Sequence, residues 1–455
     1  MDASNNRLSK WLTRRSPVQL IVLFYLTAVT ISFFLLSMPF VQKDGVSISI
    51  MDILFTSVSA VSVTGLSVIT IAETFNNVGL FVLTIMFQFG GLGVMTLGTF
   101  LWILLGKKIG FKERRLMMVD INQVSFQGIV RLIKGILKLI LTIELIGFLV
   151  LGTYYLSYFP TWQEAYFHGF FASISATTNA GFDITGQSLL PFKDDYFVQF
   201  IHVILIISGS IGFPVLVEVK DYLHRKREKR QFLSFSLFTK LTSLTYAGLL
   251  IFGFIIFMIL EWSNFLSDKQ WHEVLFYSLF QSTTTRSAGL STMDVSLLSE
   301  PTQLVMSGLM FIGASPSSVG GGIRTTTFIL VILFIIHFAR GKNHVTVFKR
   351  EIDNEDLFRA VVVTLMAFIL CFTAVVLISI LEPFALTSII FEVSSAFGTV
   401  GLSMGITPEL STVSQFILML LMFIGRIGIL TFLFTFKNEK KASTLRYPKE
   451  RVLIG

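Results

Sequence analysis

The sequence predicts an all-α polytopic membrane protein, in which four repeats of helix, pore loop and helix surround a central pore. Three observations predict this class. The 455 residues are 53% hydrophobic and only 14% charged, whereas soluble domains carry roughly 25% charged residues. Long apolar runs alternate with basic intervals, and a segment centred on glycine occurs four times along the chain.

Eight apolar runs are candidate membrane-spanning helices. Each is uncharged or nearly so, and about 20 apolar residues in a helix cross the roughly 30 Å hydrocarbon core of a bilayer. The first run is too long for a signal peptide, and no small-residue cleavage site follows it. The runs cover residues 18–41, 78–105, 139–156, 197–217, 241–260, 302–338, 360–381 and 412–436.

The distribution of basic residues predicts the orientation in the membrane. Lys and Arg concentrate in cytoplasmic loops, and an even number of spans places both termini on the same side. Five segments hold 30 of the 36 Lys and Arg residues, so both termini are predicted to be cytoplasmic. These segments are the N-terminal tail and residues 107–138, 220–240, 340–359 and 437–455. Four basic residues are predicted to lie on the outer face: Lys43, Lys193, Lys269 and Arg286.

The glycine-centred segment defines a fourfold repeat. Its glycines are separated by 116, 108 and 112 residues, and a hydroxyl side chain stands six positions before each of them. The apolar segments that precede the glycines are about ten residues long, which is too short to span and is typical of a re-entrant helix. The predicted repeats are residues 1–106, 107–219, 220–340 and 341–455. The aligned glycines are Gly65, Gly181, Gly289 and Gly401, and the hydroxyl residues are Ser59, Ser175, Thr283 and Ser395.

Four such segments around one axis predict a filter for K⁺, as in a potassium-channel pseudo-tetramer. Non-helical backbone survives at membrane depth only where it is buried in protein or lines a watery cavity. Rings of main-chain carbonyls replace the water shell of a monovalent cation without a fixed negative charge, and glycine adopts the required dihedral angles at low cost. The predicted filter, with K⁺ at its carbonyls, comprises Val63, Thr64, Gly65, Leu66, Asn179, Ala180, Gly181, Phe182, Ser287, Ala288, Gly289, Leu290, Thr399, Val400, Gly401 and Leu402.

The run at 302–338 is interrupted by residues 313–327, which are too rich in Gly, Ser and Pro for a straight helix. A gating loop is the favoured interpretation, and a simple kink or a phosphate-binding loop is the alternative. A phosphate-binding loop would follow a strand, whereas an apolar helix precedes this segment. The predicted gating residues in this segment are Gly313, Ser315, Pro316, Ser317, Ser318, Gly320, Gly321 and Gly322.

Arg426 is predicted to belong to the gate as well. It stands in an otherwise uncharged run, and an arginine at membrane depth seldom faces lipid. It either forms a positive barrier to cations or pairs with Glu144, and both roles can coexist. The motifs Gly90-x-x-Gly93 and Gly209-x-x-Gly212 are predicted to let helices pack closely or bend.

The sequence contains no pattern that indicates catalysis. It has no visible pairing of nucleophile and base, no ATP-binding motif and no second histidine to complete a zinc site with His272 and Glu273. Its single cysteine, Cys371, cannot form an intrachain disulfide. Nucleic-acid binding is disfavoured because no soluble domain with interleaved aromatic residues accompanies the basic runs. We therefore expect neither an enzyme nor a covalent cofactor.

The four-repeat layout, the single glycine per filter strand and the glycine-rich third repeat resemble the Trk/Ktr/HKT superfamily of cation transporters. The resemblance is strongest to the KtrB/KtrD type, the membrane subunits of bacterial Ktr potassium uptake systems. The resemblance implies a K⁺ preference, because all four filter glycines are present. It also implies that an intramembrane loop and an arginine of the fourth repeat lie below the filter. It also implies a homodimer on a cytoplasmic ring of RCK-domain subunits that bind ATP or ADP, with Na⁺ as a possible activator.

The expected function is K⁺ uptake across the cell membrane through a selective pore under the control of a separate cytoplasmic subunit. Residues 107–127, 220–235, 340–356 and 437–455 are the expected docking surface for that subunit. A secondary transporter with alternating access is the first alternative, since such proteins show repeats and broken helices. The repeats here are parallel, which favours a pore. A membrane scaffold without transport is the second alternative.

Overall fold

The computed structural model describes residues 16–93, 129–227, 235–342 and 344–435, with isolated positions at 114, 118, 448 and 450. Residues 94–105 of the second predicted span and the basic N-terminal tail lie outside the described residues. So do nearly all of the predicted docking segments 107–127 and 437–455, and residues 228–234 of the segment 220–235.

The described chain is almost entirely helical. The short connections contain four 3₁₀ turns, at Pro39–Val41, Leu190–Phe192, Val295–Leu297 and Thr407–Glu409. One antiparallel hairpin joins β1 (Thr346–Val347) to β2 (Arg350–Glu351). The α-helices are α1 Pro17–Leu36, α2 Ile50–Ser62, α3 Ile71–Thr74, α4 Asn77–Leu92, α5 Ile129–Tyr155, α6 Trp162–Thr177, α7 Tyr196–Ser210, α8 Phe213–Arg227, α9 Leu237–Glu261, α10 Trp271–Thr284, α11 Glu300–Ile312, α12 Thr325–Ala339, α13 Asn354–Leu381, α14 Leu386–Gly398, α15 Thr412–Ile427 and α16 Ile429–Thr435.

Four helices of the described chain, α1, α5, α9 and α13, are each long and apolar enough to cross a membrane. Each is followed by a short helix, α2, α6, α10 or α14, which we call a pore helix. Three of the pore helices begin at a side-chain cap; at α2, for example, Ser49 and Asp52 form a capping box. No more than two residues separate the end of each pore helix from one of the predicted filter segments.

The predicted start of the third span is ten residues late. The run was expected to begin at residue 139, whereas α5 begins at Ile129. Arg131, Lys134 and Lys138 lie on one exposed face of this extension, while Ile133 and Ile136 on the other face are buried. The extra turns are therefore amphipathic, and their charges do not interrupt the helix.

Three of the helices that follow the filter segments, which we call return helices, are interrupted at a glycine with positive φ, and the described part of the fourth, α4, ends at such a glycine. Continuous spans were predicted for 197–217 and 412–436, and both predictions are wrong: the chain turns by 103° between α7 and α8 and by 100° between α15 and α16. Left-handed glycine commonly ends a helix. The predicted interruption of 302–338 is present but shorter than the predicted 313–327: α11 ends at Ile312 and α12 already begins at Thr325. The four terminating glycines are Gly93, Gly212, Gly313 and Gly428, with φ of 92°, 105°, 71° and 86°.

The core lies around the pore helices, and the apolar surface lies on the long helices. The largest buried cluster joins α1, α2, α4, α13, α14 and α15. Large apolar side chains such as Ile146 on α5, Ile251 on α9 and Phe368 on α13 are exposed. A contiguous apolar surface of this kind suits lipid as its solvent.

Candidate functional site

The four predicted filter glycines meet in a ring, in the order 65, 181, 289, 401. A Cβ atom built on Gly65 would lie 2.6 Å from the carbonyl oxygen of Ala180, the residue before the next glycine. The same contact recurs around the ring: Gly181 with the oxygen of Ala288 at 3.1 Å, Gly289 with that of Val400 at 2.2 Å, and Gly401 with that of Thr64 at 2.2 Å. Each of the four carbonyl oxygens therefore lies against the glycine of the neighbouring strand in one closed ring, in which a side chain has almost no room.

The filter backbone alternates between two hands in all four copies. The glycines have positive φ of 91°, 71°, 74° and 99°, and so do the residues two positions earlier. Those earlier residues are Val63, Asn179, Ser287 and Thr399, with φ of 57°, 53°, 78° and 46°. A β-branched residue in this region is a true outlier, and each such residue costs on the order of 1–3 kcal/mol. Positive φ thus recurs at equivalent positions in all four copies, and it was not predicted from the residue types there.

Hydroxyl groups of the pore helices hold the filter strands. The backbone N–H of Gly65 donates to Ser59 Oγ and that of Gly401 to Ser395 Oγ, each at 3.1 Å. In the second copy Ser175 Oγ instead donates to the carbonyl of Phe182 at 2.5 Å.

The third copy departs from the predicted alignment by one residue. Thr283 was aligned with the other hydroxyls, but its Oγ1 donates to Leu279 within its own helix. Thr284 bonds to the filter carbonyl of Leu290 in its place. Each strand is thus fastened to its own helix by a hydrogen bond, which is buried in the second and third copies and partly buried in the first and fourth.

The side chains that follow the glycines anchor the strands from behind. Leu66, Phe182, Leu290 and Leu402 are all buried. The ring of Phe182 stacks on Phe87 of α4 with centroids 5.1 Å apart. Because these side chains pack away from the ring, the main chain is left to line it.

A cavity of about 620 Å³ opens at one end of the ring. Its lining includes all four glycines and, beyond them, Ser67, Asp183, Ser291, Asp294 and Ser403. The Oδ2 atom of Asp183 accepts three hydrogen bonds from Thr185 and Gly186. The mouth is therefore polar and carries two fixed carboxylates, an arrangement that attracts cations.

The predicted gating segment packs against the other end of the same strands. Ser287 Oγ donates to the carbonyl of Thr399 at 2.7 Å and accepts from the N–H of Gly321 at 3.2 Å. A Cβ atom on Gly320 would lie 2.5 Å from Ser287 Oγ, and one on Gly321 would lie 2.6 Å from Thr399 Oγ1. Only glycine allows this approach, so the segment covers the ring at the end opposite the cavity.

The opposite side of the segment rests on the break between α7 and α8. The N–H of Ser315 donates to the backbone carbonyl of Ser210 at 3.0 Å, and the N–H of Phe213 donates to the backbone carbonyl of Ser317 at 2.8 Å. The N–H of Val319 donates to Gly209 at 3.2 Å. A Cβ atom on Gly212 would lie 2.9 Å from the carbonyl oxygen of Pro316. Within the segment, Ser318 Oγ donates to Ser315 at 2.6 Å. The polar groups of the segment are thus used by its own packing rather than left open as in a phosphate-binding loop.

Arg426 joins the gating segment to the end of α4. Its side chain is 7% exposed and donates to the carbonyls of Val319, Gly90 and Gly91, the last at 2.7 Å. The predicted pairing with Glu144 is absent: Glu144 accepts instead from Gln88 Nε2 at 2.6 Å. Because carbonyls carry only partial charges, the positive charge of Arg426 stays largely uncancelled beneath the ring.

Arg286, which was counted among the basic residues of the outer side, is not a surface residue. It lies two positions after the end of α10 and three positions before Gly289, and its side chain is 0% exposed. Within the described part of the chain, no group of three or more His, Cys, Asp and Glu side chains is arranged to hold a metal ion.

A family model described as TrkH, cation transport protein, matches residues 13–445. The chain belongs to the TrkH family of cation transport proteins. The resemblance inferred from the filter motifs is thereby confirmed, and so is the membrane localisation. Two proteins of Bacillus subtilis (strain 168) are similar to this TrkH-family chain over nearly their whole lengths. Ktr system potassium uptake protein D is 56% identical over 99% of each chain, and Ktr system potassium uptake protein B is 36% identical over 100% of each.

Two further comparisons bear on function and on fold. The potassium/sodium uptake protein NtpJ of Enterococcus hirae is 33% identical over 97% of this chain and 98% of its own. The crystal structure of the potassium transporter TrkH from Vibrio parahaemolyticus matches with a TM-score of 0.70, covering 93% of this chain and 85% of that one. At 18% identity this match shows the fold alone. It confirms the predicted all-α membrane architecture, and the relatives are named as transporters rather than enzymes.

Proposed function

We propose that this protein takes up potassium ions across the cell membrane through a selective pore. Two similar proteins are named as potassium uptake proteins of Ktr systems. The observation that carries the proposal is the closed ring of four glycine turns. In each turn, the carbonyl oxygen of the residue before the glycine lies against the glycine of the neighbouring strand. A ring of main-chain oxygens is suited to a monovalent cation, because it replaces hydration water yet lets the ion leave.

In this proposal K⁺ enters from the polar cavity beside Asp183 and Asp294 and passes the carbonyls of residues 63–66, 179–182, 287–290 and 399–402. The alternating hand of the strands and their hydroxyl anchors support this role, since both fix where the carbonyls point. No covalent cofactor takes part. Each strand belongs to one of four repeats, with boundaries at 1–106, 107–219, 220–340 and 341–455.

The segment 313–327 and Arg426 form the gate in this proposal. Gly320 and Gly321 close off the strand ends at Ser287 and Thr399, and Arg426 adds a positive charge that repels a cation leaving the filter. The hydrogen bonds of Arg426 to Val319, Gly90 and Gly91 support a latch that holds the segment in place. Opening requires this latch to release.

We assign the regulation of K⁺ uptake to a separate subunit. The two Bacillus subtilis relatives are named as parts of a Ktr system, which supports a partner. We place both termini in the cytoplasm, with the protein as a homodimer on a ring of RCK-domain subunits that bind ATP or ADP. The name of the Enterococcus hirae relative, potassium/sodium uptake protein, supports a role for Na⁺ as activator and also keeps coupled Na⁺/K⁺ symport as the second candidate.

The test is growth of a potassium-uptake-deficient bacterial strain at low K⁺, together with ⁸⁶Rb⁺ and ²²Na⁺ uptake. Wild type and Gly248→Ala are expected to restore growth, because nothing lies within 4 Å of a Cβ at Gly248. Gly65→Ser is expected to lose discrimination against Na⁺. Rb⁺ uptake that strictly requires a Na⁺ gradient would favour symport, and unchanged ion uptake in Gly65→Ser would reject the filter.

A further inference from the structure

Arg286 is a buried cation that makes no hydrogen bond to the part of the chain that the structure describes. Its side chain is 0% exposed, and none of its three guanidinium nitrogens has a hydrogen-bond partner among the described residues. The phenol of Tyr246 on α9 is close enough to interact electrostatically with it, but the hydroxyl of Tyr246 is hydrogen-bonded to Ser210 at 2.5 Å. The charge of Arg286 is therefore neither screened by solvent nor cancelled by an ion pair.

The position of Arg286 distinguishes the third copy from the other three. Three residues before the filter glycine, the other copies carry the uncharged residues Ser62, Thr178 and Gly398. This position lies at the carboxyl end of a pore helix, where the helix dipole places about half a negative charge. Three pore helices direct that partial charge towards the strand ends, and at α10 the guanidinium offsets it.

The charge lies near the end of the filter that faces the gating segment. Three residues of extended chain span at most about 11 Å, so Arg286 cannot be far from Gly289. Its neighbour Ser287 contacts both Thr399 and Gly321. In the low-dielectric interior a charge acts over this distance with little attenuation.

We propose that Arg286 is a fixed electrostatic determinant of ion release, which lowers cation occupancy at the end of the filter beside the gating segment. This inference rests on the proposed function, since it requires that cations pass the ring. Conduction needs an ion to be bound weakly enough to leave. One positive charge among four helix ends weakens binding there without entering the path.

The test compares Arg286→Gln, Arg286→Thr and Arg286→Lys in the full-length chain, purified and reconstituted in liposomes. Apparent Rb⁺ affinity is read from the concentration dependence of ⁸⁶Rb⁺ uptake, and Ba²⁺ affinity from block of that uptake. At about 10 Å and an effective dielectric constant of about 20, neutralisation should raise Rb⁺ affinity on the order of tenfold. The energy scales with valence, so Ba²⁺ affinity should rise on the order of a hundredfold. Arg286→Lys should resemble wild type, as should Lys193→Gln, which removes an exposed charge.

The valence ratio separates a field effect from a structural one. A neutral variant that folds and keeps wild-type affinities, or shifts Rb⁺ and Ba²⁺ by equal factors, overturns the proposal. Neutral variants that never fold would assign Arg286 to the stability of its pore helix and overturn it as well. A wild-type protein that takes up no Rb⁺ would instead reject the proposed function, so the two failures are distinguishable.

Discussion

Replacement of Gly289 by alanine tests whether the four filter strands must approach each other this closely. The added Cβ would lie 2.2 Å from the carbonyl oxygen of Val400 and 3.1 Å from the Cα atoms of Gly181 and Gly401. All three contacts are with backbone, so no flexible side chain can yield. Because interiors are close-packed, the strands must separate by roughly 1 Å to restore ordinary contact. The φ of 74° at this residue adds about 1–2 kcal/mol of strain for alanine.

In a ring that is wider by this amount, the carbonyl oxygens no longer fit the ion whose hydration water they replace. Misplacement of about 1 Å at a positioning site costs on the order of a hundredfold, so we expect Rb⁺ uptake to fall by about that factor. Relative Na⁺ uptake should rise at the same time. Both are measured as tracer uptake into liposomes at equal protein content.

Gly308→Ala is the matched control. Gly308 lies in α11, the return helix that follows the strand of Gly289, and nothing lies within 4 Å of a Cβ atom built on it. Alanine in a helix interior is favoured over glycine by about 0.5–1 kcal/mol, so uptake should be unchanged and the thermal midpoint equal or higher. Wild-type rate and selectivity in a folded Gly289→Ala protein would refute the reasoning.

Three further substitutions test the anchors and the gate. Arg426→Gln removes the positive charge and weakens the contacts with Val319, Gly90 and Gly91, so Rb⁺ uptake by the purified chain alone should rise several-fold; unchanged basal uptake would contradict the proposed latch. Gly321→Ala places a Cβ 2.6 Å from Thr399 Oγ1 and should also raise basal Rb⁺ uptake. A variant without any rise in basal uptake would show that the segment tolerates this displacement. Ser395→Ala leaves the partly buried N–H of Gly401 without its acceptor, which costs about 1 kcal/mol. A lower thermal midpoint with poorer Rb⁺/Na⁺ discrimination is expected; equal values would assign no role to the anchor.

The features predictable from sequence were those that need a particular residue type. Gly65 and its three counterparts were visible because a backbone with positive φ and a close approach leaves glycine as the only residue that fits. The interruption after Ile312 was visible for the same reason, because it needs many small residues in succession. Apolar length identified the long helices, since a bilayer demands it.

The features that were missed depend on context rather than on residue type. The motif Gly209-x-x-Gly212 indicated close packing or a bend but not the size of the bend, and Gly428 follows Gly425 at the same spacing. Because glycines are common in membrane helices, turns as sharp as 103° and 100° were not predicted. The strain at Val63 and Thr399 runs against the preference of β-branched residues for extended backbone. Arg426 was assigned a possible acidic partner, but its partners are carbonyls, which every residue possesses.

At the break between α7 and α8, the first residue of α8 is bonded to the segment 313–327. Phe213 is the first residue of α8, and its N–H is also the donor to Ser317 in the segment beneath the ring. A displacement of α8 would therefore act on the segment 313–327 through this hydrogen bond, by a route that does not pass through a pore helix. A change confined to α8 and this segment would leave the hydrogen bonds between the pore helices and the filter strands in place.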